Sequence, residues 1–131
     1  MFNKDFYPTP ENVISQMTWD LELSGKVVLE PSAGKGDIVK FCQNAGASVI
    51  ACEKDDILKD LIPCKLIADD FLTLSSDQVS HVDYIIMNPP FSADEKHILH
   101  AWDIAPDGCQ IVALCNWETI ANSRYSYREQ L

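Results

Sequence analysis

Five short runs rich in Val, Ile and Leu recur along the chain, and they limit its fold more than any other feature. The runs are nearly continuous in apolar residues, which is typical of strands that are buried on both faces of a parallel sheet. They cover residues 27–29, 48–52, 65–68, 84–87 and 110–114. We therefore expect five strands in one sheet.

The segment between the first two runs predicts an amphipathic helix over residues 37–45. Its apolar residues recur at helical spacing, and Gly46 follows at the place where a left-handed residue commonly ends a helix. Strands that alternate with such helices form right-handed βαβ units and a doubly wound α/β sheet. Ligands of such a sheet bind beyond the carboxyl ends of the strands, near the point where the strand order reverses.

Two other segments carry signals of a helix start. Thr9-Pro10-Glu11 places proline at the first helical position, after a threonine that can cap the helix. Ser92-Ala93-Asp94-Glu95 matches a capping box with Ser92 as the N-cap. The helix that begins after Ser92 is expected to have an apolar face that includes Ile98, Leu99 and Trp102 and packs on the core.

The loop after the first strand, Glu30-Pro31-Ser32-Ala33-Gly34-Lys35-Gly36-Asp37, is built from small residues and leads into the first crossover helix. Its glycines let the backbone turn tightly and approach a ligand closely. The loop has neither the Gly-Lys-Ser/Thr of a P-loop nor the third glycine of the dinucleotide fingerprint, and the carboxylate of Glu30 would repel phosphate. An adenosine with an amino-acid end suits this loop better than a pyrophosphate.

Acidic residues follow three successive strands. Glu30 ends the first, Glu53 follows the second, and Asp69-Asp70-Phe71 follows the third. In α/β nucleotide sites a carboxylate after the second strand binds the ribose hydroxyls. After the third strand, a carboxylate can accept from an adenine amino group while an aromatic ring covers the purine. Each could instead be a solvated strand end or a helix cap, but together they indicate one crevice.

The segment Asn88-Pro89-Pro90-Phe91 follows the fourth strand directly and is the most specific feature of the sequence. Proline fixes φ and keeps the preceding residue out of the helical region, so this segment is expected to be stiff and extended. The side-chain oxygen of Asn88 and the carbonyl of Pro89 can accept the two hydrogens of an aromatic amino group, which frees the nitrogen lone pair. Phe91 offers a ring on which a base could stack. The alternative is a strand-ending turn with a buried phenylalanine.

These motifs, in this order, resemble those of the class I S-adenosylmethionine-dependent methyltransferases. They look most like the amino-methyltransferases that carry Asn/Asp/Ser-Pro-Pro followed by Tyr, Phe or Trp. Phe6-Tyr7-Pro8-Thr9-Pro10 is similar to the segment that folds over the methionine end of the cofactor in adenine DNA methyltransferases. The resemblance implies an α/β fold with a doubly wound, Rossmann-like, mainly parallel methyltransferase sheet, of whose usual seven strands about five are present. It also implies methyl transfer from S-adenosyl-L-methionine to N6 of adenine in DNA, by an enzyme of phage or mobile-element type.

The resemblance gives each motif a role. Catalysis falls to Asn88, Pro89, Pro90 and Phe91. The cofactor is expected to contact the N-terminal segment, the first loop and the ends of the second and third strands, through Tyr7, Thr9, Pro10, Glu30, Pro31, Ala33, Gly34, Gly36, Asp37, Glu53, Asp70 and Phe71. No set of metal ligands is expected.

Composition restricts the partners and the compartment. A net charge of -10 opposes an unaided grip on a phosphate backbone, so a DNA substrate would be held through a recognition region that is not in this chain. Five cysteines without a C-x-x-C pair fit free thiols in a reducing cytoplasm better than disulfides or zinc. No apolar run approaches the ~20 residues that span a bilayer, and we expect a cytoplasmic protein without a membrane partner.

The family's sheet has seven strands and its DNA enzymes add a target-recognition region, whereas this sequence ends at Leu131. We interpret residues 1–131 as one S-adenosylmethionine-binding catalytic domain in which the C-terminal strands and the recognition region are absent. Its activity could be impaired by truncation. The fifth strand would then be an apolar sheet edge, which predicts a homodimer or aggregation through that edge.

Other interpretations remain open at this stage. Closely similar tetrapeptides occur in enzymes that methylate RNA adenine or protein glutamine, and a dinucleotide-binding oxidoreductase module or a non-catalytic remnant would share the fold. His97 and His100 lie on one helix face without a third metal ligand, and we interpret them as surface residues. The tryptophans are interpreted as core or packing residues, namely Trp19, Trp102 and Trp117.

Overall fold

The computed structural model describes residues 9–89 and 94–114. Within these residues the five predicted strands are confirmed, and two of them differ from the expected bounds by one residue. The strands are β1 (Val27–Glu30), β2 (Ser48–Cys52), β3 (Lys65–Ala68), β4 (Tyr84–Met87) and β5 (Gln110–Ala113).

All the strands belong to one sheet, in the order β3-β2-β1-β4-β5. Every neighbouring pair is parallel. β1 lies at the centre, between β2 and β4, so the strand order reverses between β1 and β4. The sheet therefore has the doubly wound topology predicted from the sequence, with its switch point at the carboxyl ends of β1 and β4. β3 and β5 are the edge strands of the described sheet.

Four α-helices connect or precede the strands in the described residues. They are α1 (Glu11–Thr18), α2 (Asp37–Asn44), α3 (Asp56–Lys59) and α4 (Asp94–Ile104). Two short 3₁₀ helices, Phe71–Thr73 and Ser76–Val79, lie between β3 and β4. Gly46 follows α2 with a φ of 95°, which confirms the predicted left-handed residue at the end of this helix.

The start of α1 differs from the prediction by one residue. Pro10 is the N-cap and not the first helical residue, because its ψ of 146° is extended. Its carbonyl accepts from the N–H groups of Val13 and Ile14. No side chain caps α1, so Thr9 does not act as the predicted cap. Ser92, the N-cap expected for α4, lies outside the described residues.

The apolar side chains form one core on each face of the sheet. On one face, β1, β2 and β4 pack against α1 and α2, with Ile14, Ile38 and Cys42 among the buried residues. On the other face, the same strands pack against α4 and the 3₁₀ helices, through Phe71 and Ala101 among others. All four residues of β4 are buried, and each large apolar side chain buried in this way contributes about 1.5–3 kcal/mol. The strand ends thus rest on a firmly packed sheet.

The interpretations of Trp19, Trp102 and His97 were wrong, whereas His100 is half-buried. Trp19 is 82% exposed and Trp102 is 62% exposed. On α4 the buried stripe runs through His97, Ala101 and Ile104, at the i, i+4, i+7 spacing of a helix face. Trp102 therefore lies to one side of this stripe. His97, which the sequence suggests is a surface residue, occupies a core position instead. Trp117 lies outside the described residues.

No helix in the described parts of the chain is both long and apolar enough to cross a membrane.

Candidate functional site

The structure brings the predicted polar residues to one edge of the sheet. Asp70, Glu53, Glu30 and Asn88 follow or end β3, β2, β1 and β4, which are neighbours in that order. Because the strands are parallel, their carboxyl ends meet at the same edge. Glu30 and Asn88 lie on either side of the switch point. This edge is the candidate site.

The loop from Pro31 to Gly36 is held down on the sheet by its own backbone N–H groups. The Ala33 N–H donates to the carbonyl of Cys52 at 3.1 Å, and the Gly36 N–H donates to the carbonyl of Ala33 at 2.8 Å. The Ser32 N–H donates to Glu30 and the Gly34 N–H to Glu53. A phosphate-binding loop uses such N–H groups to bind its anion. Here four of them already have acceptors, and two of those acceptors are carboxylates.

The two glycines of this loop adopt backbone conformations that other residues rarely take. Gly34 has a φ of 58° and Gly36 has a φ of 90°. A Cβ atom on Gly36 would also lie 3.0 Å from Cδ of Pro63. Glycine is therefore favoured at position 36 for two separate reasons, its backbone conformation and the tight space beside Pro63.

Glu30 ends β1 and is 1% exposed. Its carboxylate accepts from the N–H of Ser32 and faces the N–H of Asn88. Burial raises the pKa of Glu30 to about 8; the two N–H groups lower it, and the charge of Glu53 raises it further. Glu30 thus ties the end of β1 to the loop and to the end of β4, instead of presenting an open carboxylate to a ligand.

Glu53 follows β2 and joins two turns. Its Oε1 accepts from the N–H of Gly34 and its Oε2 from the N–H of Asp55, each at 2.8 Å. Glu53 is half-buried, and each carboxylate oxygen keeps a second acceptor direction. A ligand hydroxyl could use those directions without breaking either contact.

The end of β3 carries two aspartates with different surroundings. Asp70 caps the following 3₁₀ helix through a 3.0 Å bond from the N–H of Leu72, and its other oxygen lies 3.7 Å from Nζ of Lys54. Asp69 is paired with Lys59 at 2.8 Å. Asp70 keeps a third of its side chain exposed, and its carboxylate oxygens have further acceptor directions for a ligand.

Phe71 does not offer the aromatic cover that was predicted for a purine. Its ring is 1% exposed. It stacks on the His97 ring at a centroid distance of 5.6 Å and meets the His100 ring edge-on at 5.0 Å. The His100 ring is in turn bonded to the carbonyl of Leu74 at 2.8 Å. Because the ring is buried and both histidines pack against it, it has no open face for a ligand.

The N-terminal segment reaches the end of β4 through Thr9. Nδ2 of Asn88 donates to Oγ1 of Thr9 at 3.0 Å, and the Thr9 N–H donates to Oδ2 of Asp37 at 3.2 Å. Thr9 is only 8% exposed. The sequence predicted that these three residues share a site, but not that they bond to one another. They are 28 and 79 positions apart along the chain, and no local signal could have shown the contacts.

The remaining predicted site residues differ in their burial, and some of them lie outside the described residues. Pro31, Ala33 and Pro89 are buried beneath the edge, and Pro10 is exposed. The predicted residues Tyr7, Pro90 and Phe91 lie outside the described residues.

Sequence reasoning missed several groups that shape the site. Ser32 fixes Glu30, the carbonyl of Cys52 holds the loop, and Lys54 faces Asp70. The first two act through the backbone, which leaves no mark in a sequence. The lysine directly after Glu53 was a visible signal, since a cation beside acidic strand ends is the simplest partner for them.

The described cysteines and acidic residues do not suggest other chemistry. The four cysteines of the described residues are unpaired, and burial raises the pKa of the Cys42 and Cys52 thiols to about 12, which makes them poor nucleophiles. No group of metal-binding side chains occurs in the described residues. A groove of about 610 Å³ between α1 and α2 contains Trp19 and Phe41 but none of the predicted site residues.

Solved structures with the same fold include methyltransferases that act on different substrates. A Pyrococcus horikoshii protein, proposed to be an RNA methyltransferase, is 27% identical with a TM-score of 0.70, over 85% of this chain and 62% of its own. An RNA methyltransferase from Salinibacter ruber, solved with S-adenosyl-L-homocysteine, is 15% identical with a TM-score of 0.67, over 84% and 79%. The Mtq2–Trm112 complex of E. cuniculi, which methylates the termination factor eRF1, is 20% identical with a TM-score of 0.53, over 66% and 53%.

This chain thus spans 62% of the length of the Pyrococcus protein. No protein-family model and no curated protein matches the sequence. The five-stranded parallel sheet with helices on both faces is the Rossmann-like sheet of these S-adenosylmethionine-dependent methyltransferases.

Proposed function

We propose that this chain, which has the fold of S-adenosylmethionine-dependent methyltransferases, binds S-adenosyl-L-methionine and methylates an exocyclic amino nitrogen. The preferred substrate in this proposal is N6 of adenine in DNA. One observation carries it: Asn88-Pro89 directly follows β4 at the switch point, next to the loop that follows β1. An amide oxygen and a backbone carbonyl thereby stand beside the place where this fold binds its ligand.

The described residues fit the proposed cofactor better than a dinucleotide. Four N–H groups of the loop are already bonded within the protein, so these four suit a ligand without phosphates. Glu53 would accept from the ribose hydroxyls, Asp70 from the adenine amino group, and Thr9 would meet the methionine end. Phe71 drops out of this set because its ring is buried. The acidic strand ends also disfavour the oxidoreductase alternative, because the carboxylates would repel its pyrophosphate.

The protein's part in the reaction is to align and polarise the amino group. When bound, S-adenosylmethionine supplies a methyl group that is already activated by its sulfonium. The oxygen of Asn88 and the carbonyl of Pro89 accept the two amino hydrogens, which localises the lone pair on nitrogen and stabilises the positive charge that develops there. A rigid proline segment keeps these acceptors in place, so binding favours the transition state. In this proposal the surplus proton leaves to solvent after the transfer.

Three substrates carry an amino group that this chemistry can methylate, and adenine in DNA is the preferred one. The N-terminal Phe6–Pro10 segment and Asn88–Phe91 are similar to those of adenine DNA methyltransferases of phage or mobile-element type. The net charge of -10 requires that a recognition region outside this chain holds the DNA. RNA adenine is the second candidate, since two of the similar structures are described as RNA methyltransferases. Protein glutamine is the third.

A cytoplasmic location and a homodimer through the β5 edge belong to the same proposal. The unpaired cysteines of the described residues support the first. The position of β5 at the edge of the described sheet supports the second.

Two experiments test the proposed function. Calorimetric titration with S-adenosylhomocysteine and, separately, with NADH should show binding of the first only, and binding of NADH alone would refute the proposal. Methyl transfer from labelled S-adenosylmethionine should then be measured on unmethylated DNA, RNA and protein extract. Label is expected in DNA and should disappear with Asn88→Ala. Transfer that survives this substitution would refute the role of Asn88, and label in RNA or protein would change the substrate.

A further inference from the structure

The orientation of the Asn88 side chain depends on its bond to Thr9. An amide group has an oxygen that accepts and an NH₂ that donates, and a half-turn exchanges the two. In the structure Nδ2 of Asn88 faces Oγ1 of Thr9 at 3.0 Å, so Oδ1 is directed away from it. In the opposite orientation the NH₂ would meet the substrate and could not accept from an amino group.

Thr9 is well held for such a task. Its N–H donates to Oδ2 of Asp37 at 3.2 Å, in the first turn of α2. Only 8% of the residue is exposed. Asp37 directly follows Gly36 in the chain, so hydrogen bonds join Asn88 through Thr9 to the residue after the candidate cofactor loop.

A threonine hydroxyl can accept or donate, so by itself it tolerates either orientation of the amide. The orientation of the amide is fixed when another acceptor binds the hydroxyl proton of Thr9, because the hydroxyl oxygen can then only accept from Nδ2 of Asn88. A carboxylate at the methionine end of the cofactor would be such an acceptor.

We propose that Thr9 is a positioning residue that turns the oxygen of Asn88 toward the substrate, and that a ligand carboxylate at the Thr9 hydroxyl fixes this orientation. The inference rests on the proposed function for its catalytic consequence. Cofactor binding then fixes the orientation of the Asn88 oxygen, which accepts from the substrate amino group. The Thr9 hydroxyl thereby links cofactor binding to the positioning of the substrate.

Nuclear magnetic resonance tests the orientation without any activity. The side-chain amide signals of Asn88 are assigned by their loss in Asn88→Asp. Thr9→Val should shift these signals and speed their exchange with water, and Thr9→Ser should preserve them. Thr18→Val is the matched control, because its hydroxyl donates to the carbonyl of Ile14 within α1 at 2.9 Å. Unchanged Asn88 signals in Thr9→Val would overturn the inference.

Two ligands test the role of the carboxylate. S-adenosylhomocysteine and 5′-methylthioadenosine share the adenosine, but only the first has an amino-acid end. S-adenosylhomocysteine should slow the exchange of the Asn88 amide protons in the native protein and not in Thr9→Val, and methylthioadenosine should leave it unchanged. Equal effects of the two ligands would refute the coupling.

Kinetics test the catalytic consequence through a double-mutant cycle. At saturating cofactor, Thr9→Val should lower kcat about 10- to 100-fold, the usual loss from a misplaced group, and Thr9→Ser should restore most of it. In the Asn88→Asp background the two ends of the side chain are equivalent, so Thr9→Val should have little further effect. Equal losses in both backgrounds would refute the positioning role. If the native protein transfers no methyl group, the proposed function fails, and the resonance experiments still decide the orientation.

Discussion

Replacing Glu30 with glutamine should change how the stability of this protein depends on pH. Glu30 is 1% exposed, and burial raises its pKa from 4.5 to about 8. Between these two values the folded protein keeps a proton on Glu30 that the unfolded chain has released. Each rise in pH therefore favours the unfolded chain, and the stability that Glu30 contributes below its ordinary pKa is lost as the pH approaches 8.

The magnitude follows from the size of the pKa difference. One pH unit inside the window corresponds to about 1.4 kcal/mol. From pH 5.5 to 7.5 the free energy of unfolding of the native protein should fall by about 3 kcal/mol relative to Glu30→Gln. Glutamine also loses one acceptor for the two N–H groups of Ser32 and Asn88, at a cost of about 1–3 kcal/mol. That loss of unfolding free energy is the same at every pH. The change of the unfolding free energy with pH, and not its absolute difference between the two proteins, therefore tests the pKa of Glu30.

The assay is urea unfolding followed by circular dichroism at pH 5.5, 6.5 and 7.5. Glu22→Gln serves as the control, since Glu22 is exposed at the surface, and its unfolding free energy should run parallel to that of the native protein. The Glu30→Gln curve should rise relative to both as the pH increases. Three parallel curves would show that Glu30 ionises in the folded state as it does in the unfolded chain, and the account of its burial would be wrong.

Three further predictions concern the fold around the site. Gly36→Ala should lower the free energy of unfolding by more than Gly25→Ala does. Both positions have a positive φ, at about 1–2 kcal/mol of strain for alanine, but only a Cβ at position 36 would meet Pro63. Equal losses in urea unfolding would argue against this contact. Phe71→Ala should cost about 3–5 kcal/mol as a core truncation while the affinity for S-adenosylhomocysteine at a temperature where it is folded changes little, and a large selective loss of affinity would mean that the ring does contact the ligand. Light scattering at micromolar concentration should give a dimer mass if the β5 edge pairs with a second copy, and a monomer mass would contradict that proposal.

The sequence predicted the sheet well because each strand carries its own signal. The run at 84–87 is apolar throughout, and in the structure all four residues of β4 are buried. Gly46 likewise announced the end of α2, since few residues adopt its φ of 95°. These are local preferences, and each can be interpreted without knowledge of the remainder of the chain.

Predictions failed where the answer depends on how elements dock. His97 is buried and Trp102 is exposed because the packed face of α4 runs through His97 and not through Trp102, whereas hydrophobicity alone placed them the other way round. The ring of Phe71 is buried against His97 and His100 of α4, a contact that also depends on docking. The bond between Thr9 and Asn88 spans 79 positions and arises only when α1 and β4 come together.

The bonded N–H groups of the loop after β1 have an energetic consequence for ligand binding. Ser32, Ala33, Gly34 and Gly36 should be protected from hydrogen exchange before any ligand arrives, because each already has an acceptor. A loop that is ordered in advance loses little conformational entropy on binding, whereas a mobile one loses roughly 1–2 kcal/mol for each residue fixed. The conformational entropy of this loop is thus lost during folding and not during binding, and a ligand meets a surface whose shape is set before it arrives.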